Sequence, residues 1–209
     1  MKNNFRLSIS ILGILLLLGH FLNAQNVKDV DGNSYATISI GSQEWMNENL
    51  RVTHYCNGER IETKSDTINI FKEDSPKYEW AYDGNENLVI KNGRLYTWYV
   101  ASDNRNVCPI GWHVPTNDDW IQLRKNLGLD TLRYDTAIPI ILSEKGFSFE
   151  PGSKRVWHGE FLKTATVWWT SSDNYSRSKL WGLGYNLGII PIKAYNEELN
   201  GYPIRCIKD

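Results

Sequence analysis

The chain has 209 residues, 23 Lys or Arg against 24 Asp or Glu, and an aromatic content of 12% that includes nine Trp. There is no basic excess, which excludes the electrostatic footprint of a nucleic-acid-binding protein. The chain is long enough to bury a substantial core, so it does not depend on a dense disulfide framework.

Residues 1–24 have the pattern of a secretory signal peptide. Lys2 and Arg6 supply a positive start, and Leu7 to Leu18 is apolar apart from Ser8, Ser10 and Gly13. Leu22-Asn-Ala24 ends the segment on a small residue. The apolar stretch is short for a membrane span. Cleavage after Ala24 leaves 21 basic against 24 acidic side chains, a net charge of −3. No second apolar run follows, so residues 25–209 are expected to be one exported domain without a transmembrane segment.

Along that domain, Asn33 to Ile40 alternates and is rich in Tyr, Thr and Ile, which predicts a strand. Gly41-Ser42 is a turn signal, and Gln43 to Asn47 returns as a second strand, making an opening hairpin. Thr53 to Glu79 is polar and irregular and reads as a long surface loop. Arg94 to Val100 suits either a strand or a short helix.

The clearest helix starts after Thr116, whose hydroxyl is an N-cap acceptor. Pro115 disfavours helix at Val114, and Asp118 and Asp119 place negative charge at the positive end of the helix. Trp120, Leu123 and Leu127 form one apolar stripe, and Gly128 suits the position after the C-cap.

Residues 129–145 are ambiguous, because Pro139 interrupts an apolar run. Glu150-Pro-Gly-Ser153 reads as a turn. Val156 to Phe161 reads as a strand pair around His158-Gly159. Val167 to Thr170, Leu180 to Leu187 and Gly201 to Ile207 read as strands, with a polar loop from Ser171 to Ser178. The whole predicts a β-rich, loop-rich fold with at least one helix.

Three cysteines, Cys56, Cys108 and Cys206, imply one disulfide in an exported protein and one thiol that is free or intermolecular. Cys108–Cys206 is the favoured pair, and the other pairings stay open. Closing a loop of about 100 residues stabilises by up to roughly 4–5 kcal/mol in the chain-entropy model.

The familiar catalytic motifs are absent: there is no G-x-S-x-G, C-x-x-C, H-E-x-x-H, P-loop or G-x-G-x-x-G. His54, His113 and His158 are widely spaced and form no local metal cluster. His113, between Trp112 and Val114, reads as a packed, hydrogen-bonded residue. The Asp29-Val-Asp-Gly-Asn33 stretch fails as a calcium loop, since its frame puts Val27 and Ile38 where oxygen ligands are needed. It reads as a turn into the first strand. No catalytic residue, metal ligand or cofactor is assigned.

Exposed aromatics offer a binding surface. Trp98, Trp112, Trp120, Trp168 and Trp181 lie within patterned segments and read as core. Trp157, beside Arg155 and His158 near a turn, and Tyr175, in the polar loop after Trp169, are the candidate ligand-contact residues.

Several stretches together resemble the Fibrobacter succinogenes major paralogous domain. They are Asp29 to Asn33, Ile40-Gly-Ser-Gln-Glu-Trp-Met46, Glu48-Asn-Leu-Arg51, Leu95-Tyr-Thr-Trp-Tyr99, Cys108-Pro-Ile-Gly-Trp-His-Val-Pro-Thr116 with Trp120, Trp168-Trp-Thr-Ser-Ser172 and Arg205-Cys-Ile-Lys-Asp209. The resemblance runs over nearly all of the exported part and implies a secreted or surface protein of Bacteroidetes or Fibrobacter-like bacteria.

The same motifs are similar to the wider C-type-lectin-like and formylglycine-generating-enzyme superfamily. That likeness implies an α+β fold with a small twisted antiparallel sheet, one clear helix, long irregular loops and neighbouring terminal strands. It also implies a bridge involving Cys206. The paired active-site cysteines, the iron-binding His cluster and the Glu-Pro-Asn calcium motif of those relatives are missing, so neither a catalytic nor a calcium site carries over.

The expectation is a non-enzymatic binding domain, periplasmic, secreted or on the cell surface, with a glycan or protein ligand. A structural or adhesive envelope component is the alternative. An enzyme on this scaffold would need His54, His113 or Cys56 to converge on a pocket.

Overall fold

A computed structural model describes residues 26–65, 67–129, 142–150, 152–172, 180–184, 188–192 and 197–209. The signal-like segment, the ambiguous run around Pro139, Tyr175 and most of its loop lie outside the described residues.

The alternating segment forms β2 (Ser34–Ile40), which turns at Gly41 into β3 (Gln43–Met46). Gly41 has φ +62°, and a Cβ there would sit 2.5 Å from the Asn126 side chain. Asn126 uses that proximity to donate to the Ile40 carbonyl at 2.9 Å. Before the hairpin lies β1 (Asn26–Lys28), a short strand too brief to show a period, paired antiparallel to β2. The Asp29–Asn33 turn is closed by the Asp29 carboxylate, which accepts from the Asn33 backbone N–H at 2.9 Å and from the Tyr35 hydroxyl at 2.5 Å.

The ambiguous Arg94–Val100 segment is both things in turn: strand β5 (Arg94–Tyr96), then helix α2 (Trp98–Ala101). β5 pairs with β4 (Glu79–Ala81), and a further short helix, α1 (Val89–Asn92), lies between them in sequence.

Helix α3 (Asn117–Asn126) begins as expected. Thr116 and Asp119 form a reciprocal capping box, with the Asp119 carboxylate accepting from the Thr116 N–H at 2.8 Å. This pair satisfies two donors that the first helical turn would leave open. The same carboxylate contacts His113 Nε2 at 3.2 Å, and His113 Nδ1 lies 2.6 Å from Asp209. His113 belongs to β6 (Trp112–His113).

In the C-terminal half, the turn at His158-Gly159 joins β7 (Gly152–Arg155) to β8 (Phe161–Thr164). The predicted turn at 150–153 is therefore corrected at its end, where Gly152 and Ser153 are strand residues. Gly152 is needed there because a Cβ would fall 2.1 Å from the Ala165 carbonyl oxygen. β9 (Thr166–Trp169), β10 (Leu180–Gly184) and β11 (Gly188–Ile192) form an antiparallel sheet.

The closing strand is the main departure. Only Ile207–Lys208 forms a ladder strand, β12, between β3 and β6, in a five-stranded sheet ordered β1-β2-β3-β12-β6. Residues 201–206 are paired piecemeal. Gly201 bridges Arg155, and Tyr202 bridges Tyr96. The Pro203, Ile204 and Cys206 carbonyls then accept from Trp169, Leu50 and Met46 at 3.1, 2.9 and 3.0 Å. Pro203 has no N–H to give, so a continuous ladder is impossible there.

The architecture is α+β. The predicted core tryptophans Trp98, Trp112, Trp120, Trp168 and Trp181 are all buried. Trp120 of α3 packs 4.8 Å from Trp45 of the first sheet and 5.6 and 6.2 Å from Trp168 and Trp181 of the second. Among the described residues no helix is long and apolar enough to cross a membrane.

Cys108 and Cys206 are disulfide-bonded, 98 residues apart and fully buried. Cys56 is a free thiol that donates to the Cys108 carbonyl at 2.6 Å. Burial pushes the Cys56 thiol above its ordinary range, which favours the protonated form at neutral pH.

Two stability outcomes follow. Replacing both Cys108 and Cys206 by Ser should lower unfolding stability by about 2–4 kcal/mol, read as the shift in urea midpoint. An unchanged midpoint would show that the bridge adds nothing. The hydrogen bond to Asp119, with help from Asp209, raises His113 above its ordinary 6.5. Its contribution is complete below about pH 6.5 and disappears as pH rises through the higher folded value. From its ordinary value upward through its raised folded value, His113→Gln should remove that component of the stability profile. Parallel profiles for variant and wild type would refute it.

Candidate functional site

The polar stretch from Thr53 to Glu79 departs from its reading as a plain surface loop. It is irregular, with isolated bridges from His54 to Arg60 and from Glu62 to Tyr78. Yet Tyr55, Ile61, Ile70 and Tyr78 are buried. Their spacing follows neither the strand nor the helix period, so no pattern in the sequence announces them. A connection this long is uncommon inside a compact domain and is usually functional where ordered.

A buried cation holds the loop down. Arg155 at the end of β7 is fully buried and lies over the Trp80 ring at 4.0 Å. Its guanidinium donates to the carbonyls of Ile68, Val156 and Ser65 at 2.8, 3.2 and 3.4 Å. Backbone carbonyls of a loop are thus paired by a side chain that sheet geometry fixes, which a planar fork of donors does well.

Immediately after Arg155, the chain turns outward through Val156 and Trp157. Trp157 is half-buried and rests on a cluster of Ile70, Tyr78 and Trp80. Its backbone is clamped from both sides: the N–H donates to Asn200 Oδ1 at 2.8 Å, and the carbonyl accepts from Ile70 at 2.9 Å. Asn200 is in turn held by Glu197 at 2.6 Å.

Against Trp157 stands Phe71, with ring centroids 4.9 Å apart and planes inclined by 46°. Phe71 is 58% exposed, and Ile68, also exposed, lies three residues before it. His158 stands edge-on to Trp157 at 4.7 Å, with Glu160 at 4.0 Å from its Nδ1. The result is an aromatic surface on a rigid base, with a polar rim.

Of the two residues read as ligand contacts, Trp157 belongs to this surface and Tyr175 lies outside the described residues. Phe71 and Ile68 were missed. The available signal was a large aromatic side chain in an otherwise polar, aperiodic stretch, where core packing has no obvious claim on it.

The groups available for a catalytic centre each have a partner of their own among the described residues. His54 Nδ1 is 2.6 Å from Asp31, His113 is engaged by Asp119 and Asp209, and Cys56 by the Cys108 carbonyl. Among the described residues no group of three or more His, Cys, Asp or Glu side chains is placed to hold a metal ion.

Fold and surface together define a disulfide-closed α+β domain that carries an anchored aromatic loop. The chain belongs to the Fibrobacter succinogenes major domain family, whose family model matches residues 38–208. That description names a domain and no activity. No curated protein and no solved structure matches the chain.

The Arg155 anchor is directly testable. Arg155→Lys keeps the charge but loses the fork, so amides of the Ser65–Ile70 segment should exchange about tenfold faster or more, while those of β2 and β3 stay protected. Equal exchange in both proteins would show that the loop does not hang on Arg155.

Proposed function

We propose that this chain is an exported, non-enzymatic binding module on a C-type-lectin-like scaffold, and that it takes a glycan on the surface formed by Trp157 and Phe71. The single observation that carries the reading is the aromatic pair of exposed Phe71 and half-buried Trp157, 4.9 Å apart, with the Trp157 backbone clamped by Asn200 and Ile70. A pyranose ring presents an apolar C–H face that suits the negative face of an aromatic ring, and its hydroxyls need the polar rim that His158 and Glu160 supply. Orientation costs little when the platform is already fixed.

Export rests on the signal-like residues 1–24, and the periplasm, the cell surface and the medium all accept a disulfide. The scaffold reading draws support from the chain ends, since β12 pairs with β3 of the opening hairpin. Fold alone does not name a ligand, so the site carries the argument. The competing reading, a protein-adhesive or structural envelope component, uses the same aromatic surface against a protein partner.

A glycan array probed with the exported chain, with calcium and with chelator, tests this. Binding to a defined glycan should fall by about tenfold or more in Phe71→Ala and in Trp157→Ala. Phe71 is exposed, so its variant should keep the wild-type melting temperature. Absence of any glycan binding, or binding indifferent to Phe71→Ala, would overturn the reading and favour the protein-adhesive one.

A further inference from the structure

Three Asn-Gly pairs occur in the sequence, at 57–58, 92–93 and 200–201. Asparagine is thermally labile, and a following glycine makes it most so. The glycine backbone nitrogen can attack the asparagine Cγ, and no Cβ on the glycine obstructs that approach. The fold treats the three pairs differently.

Asn92 and Asn200 are buried, at 7% and 4% exposure. The Gly201 N–H donates to the Arg155 carbonyl at 2.7 Å, within the bridge that ties the closing segment to β7. The Asn200 carboxamide is engaged at both ends. Its Oδ1 accepts from the Trp157 N–H at 2.8 Å, and its Nδ2 donates to Glu197 at 2.6 Å. The Gly93 N–H donates to the Val89 carbonyl at 2.9 Å. Gly93 also lies against Asn49, so closely that a Cβ would fall 2.5 Å from the Asn49 Cβ. Neither pair reaches ring closure without opening the buried structure around it.

Asn57-Gly58 is placed otherwise. Both residues are exposed, in a turn that the Tyr55 N–H closes by donating to the Glu59 carbonyl at 2.8 Å. Gly58 has φ +85°, and a Cβ there would meet nothing within 4 Å, so the surroundings leave room for a ring. The attacking nitrogen is held by a turn bond to the Tyr55 carbonyl at 2.9 Å. Exposed turn bonds of this kind open at little cost. Asn57 Oδ1 already accepts from the Glu59 N–H at 3.0 Å. Negative charge develops on that oxygen as the nitrogen adds to Cγ, and a backbone N–H aimed at it stabilises the addition.

We infer that Asn57 is a site of spontaneous deamidation in the folded protein, through a succinimide formed with Gly58. The Gly58 nitrogen bonds to Asn57 Cγ and gives up its proton. The Cγ–Nδ2 bond breaks, and Nδ2 leaves as ammonia with that proton. Water then opens the ring at either carbonyl. Opening at Cγ leaves Asp, and opening at the backbone carbonyl leaves isoaspartate, with one more carbon in the main chain. No oxidant or reductant takes part. Either product adds a negative charge beside Glu59, whose carboxylate already pairs with Arg105.

The test is ageing of the exported chain at mildly alkaline pH, with and without concentrated urea, followed by mass spectrometry of proteolytic peptides. Each site is read separately as the conversion of amide to acid. In the folded protein Asn57 should convert at least about tenfold faster than Asn92 and Asn200. In urea the three rates should converge, because each asparagine has the same glycine neighbour. Folding should slow Asn57 by less than about tenfold. An acidic form should also accumulate on ion exchange and be absent from Asn57→Gln, whose longer side chain disfavours the five-membered ring. Native Asn57 as slow as the buried pairs, or reactive only in urea, would show that the turn locks the nitrogen and overturn the assignment. The same acidic form from Asn57→Gln would overturn it by placing the reaction elsewhere.

Discussion

Residues 201–208 are the constraint on which the rest of the molecule depends. In eight residues the chain bridges β7 at Gly201 and β5 at Tyr202, then accepts from β9, from the segment after β3 and from β3 itself. It ends as β12 between β3 and β6. The disulfide fixes this strand at Cys206 to the segment that leads into β6 and α3. These contacts are distant in sequence, so chain entropy opposes every one of them. What offsets that cost is their concentration in one extended segment: once two or three partners are in place, the remaining ones are within reach. The small sheets are each too short to be stable alone, and this segment makes them parts of one structure.

Burying so many tryptophans poses a second problem, because each brings an indole N–H that must be paired away from water. For five of them the structure meets it with side chains and carbonyls from other elements, while Nε1 of Trp45 and of Trp120 has no partner among the described residues. Trp168 donates to Asn49 and Trp181 to Asn117, at 2.8 and 2.6 Å, while Trp80, Trp98 and Trp169 donate to the carbonyls of Lys64, Thr170 and Tyr96. These bonds convert non-directional burial into fixed register between elements. Arg205 works the same way from the cationic side. It is fully buried against Phe147 and Trp168 and donates to the Ser148 carbonyl at 2.5 Å. Burial, opposed in part by the Glu48 carboxylate, drives its pKa down to about 9, which leaves it charged at neutral pH.

What was legible in the sequence follows from which features are local. The opening hairpin, α3 with its Thr116 cap, and the strands at Thr166–Trp169 and Leu180–Gly184 are encoded by alternation, caps and turn residues within a few positions of each other. The fused strand and helix at Arg94–Ala101 was legible as an ambiguity because both periods are present in so short a run. Residues 201–207 read as one strand from their local pattern. Their changing partners are a tertiary fact that no local pattern holds. The loop from Thr53 to Glu79 failed for the opposite reason: its buried side chains follow no period. Trp157 reads as a surface aromatic from its place beside a turn, and the structure sets it half-buried against Phe71. Phe71, its partner, is more than eighty residues away in sequence, so only the folded chain joins them.

That failure is informative about where recognition can arise in this fold. Among the described residues, much of the sheet surface packs into the aromatic core, and the C-terminal segment bonds to β3, β5, β7 and β9. Presenting an aromatic ring beside polar side chains, as Phe71 and Trp157 stand beside His158, is easier on backbone freed from ladder geometry, which a long irregular connection provides. Such a connection ordinarily loses precision through motion. Here Arg155 pairs loop carbonyls from a position set by β7, and Asn200 and Ile70 clamp Trp157, so irregular backbone inherits the rigidity of the strands below it. The buried guanidinium has a cost of desolvation, and replacing it by an apolar residue could give an equally stable core. What such a replacement would not reproduce is a defined position for a loop that makes no ladder of its own. Positional definition, more than stability, is what a preorganised binding surface requires.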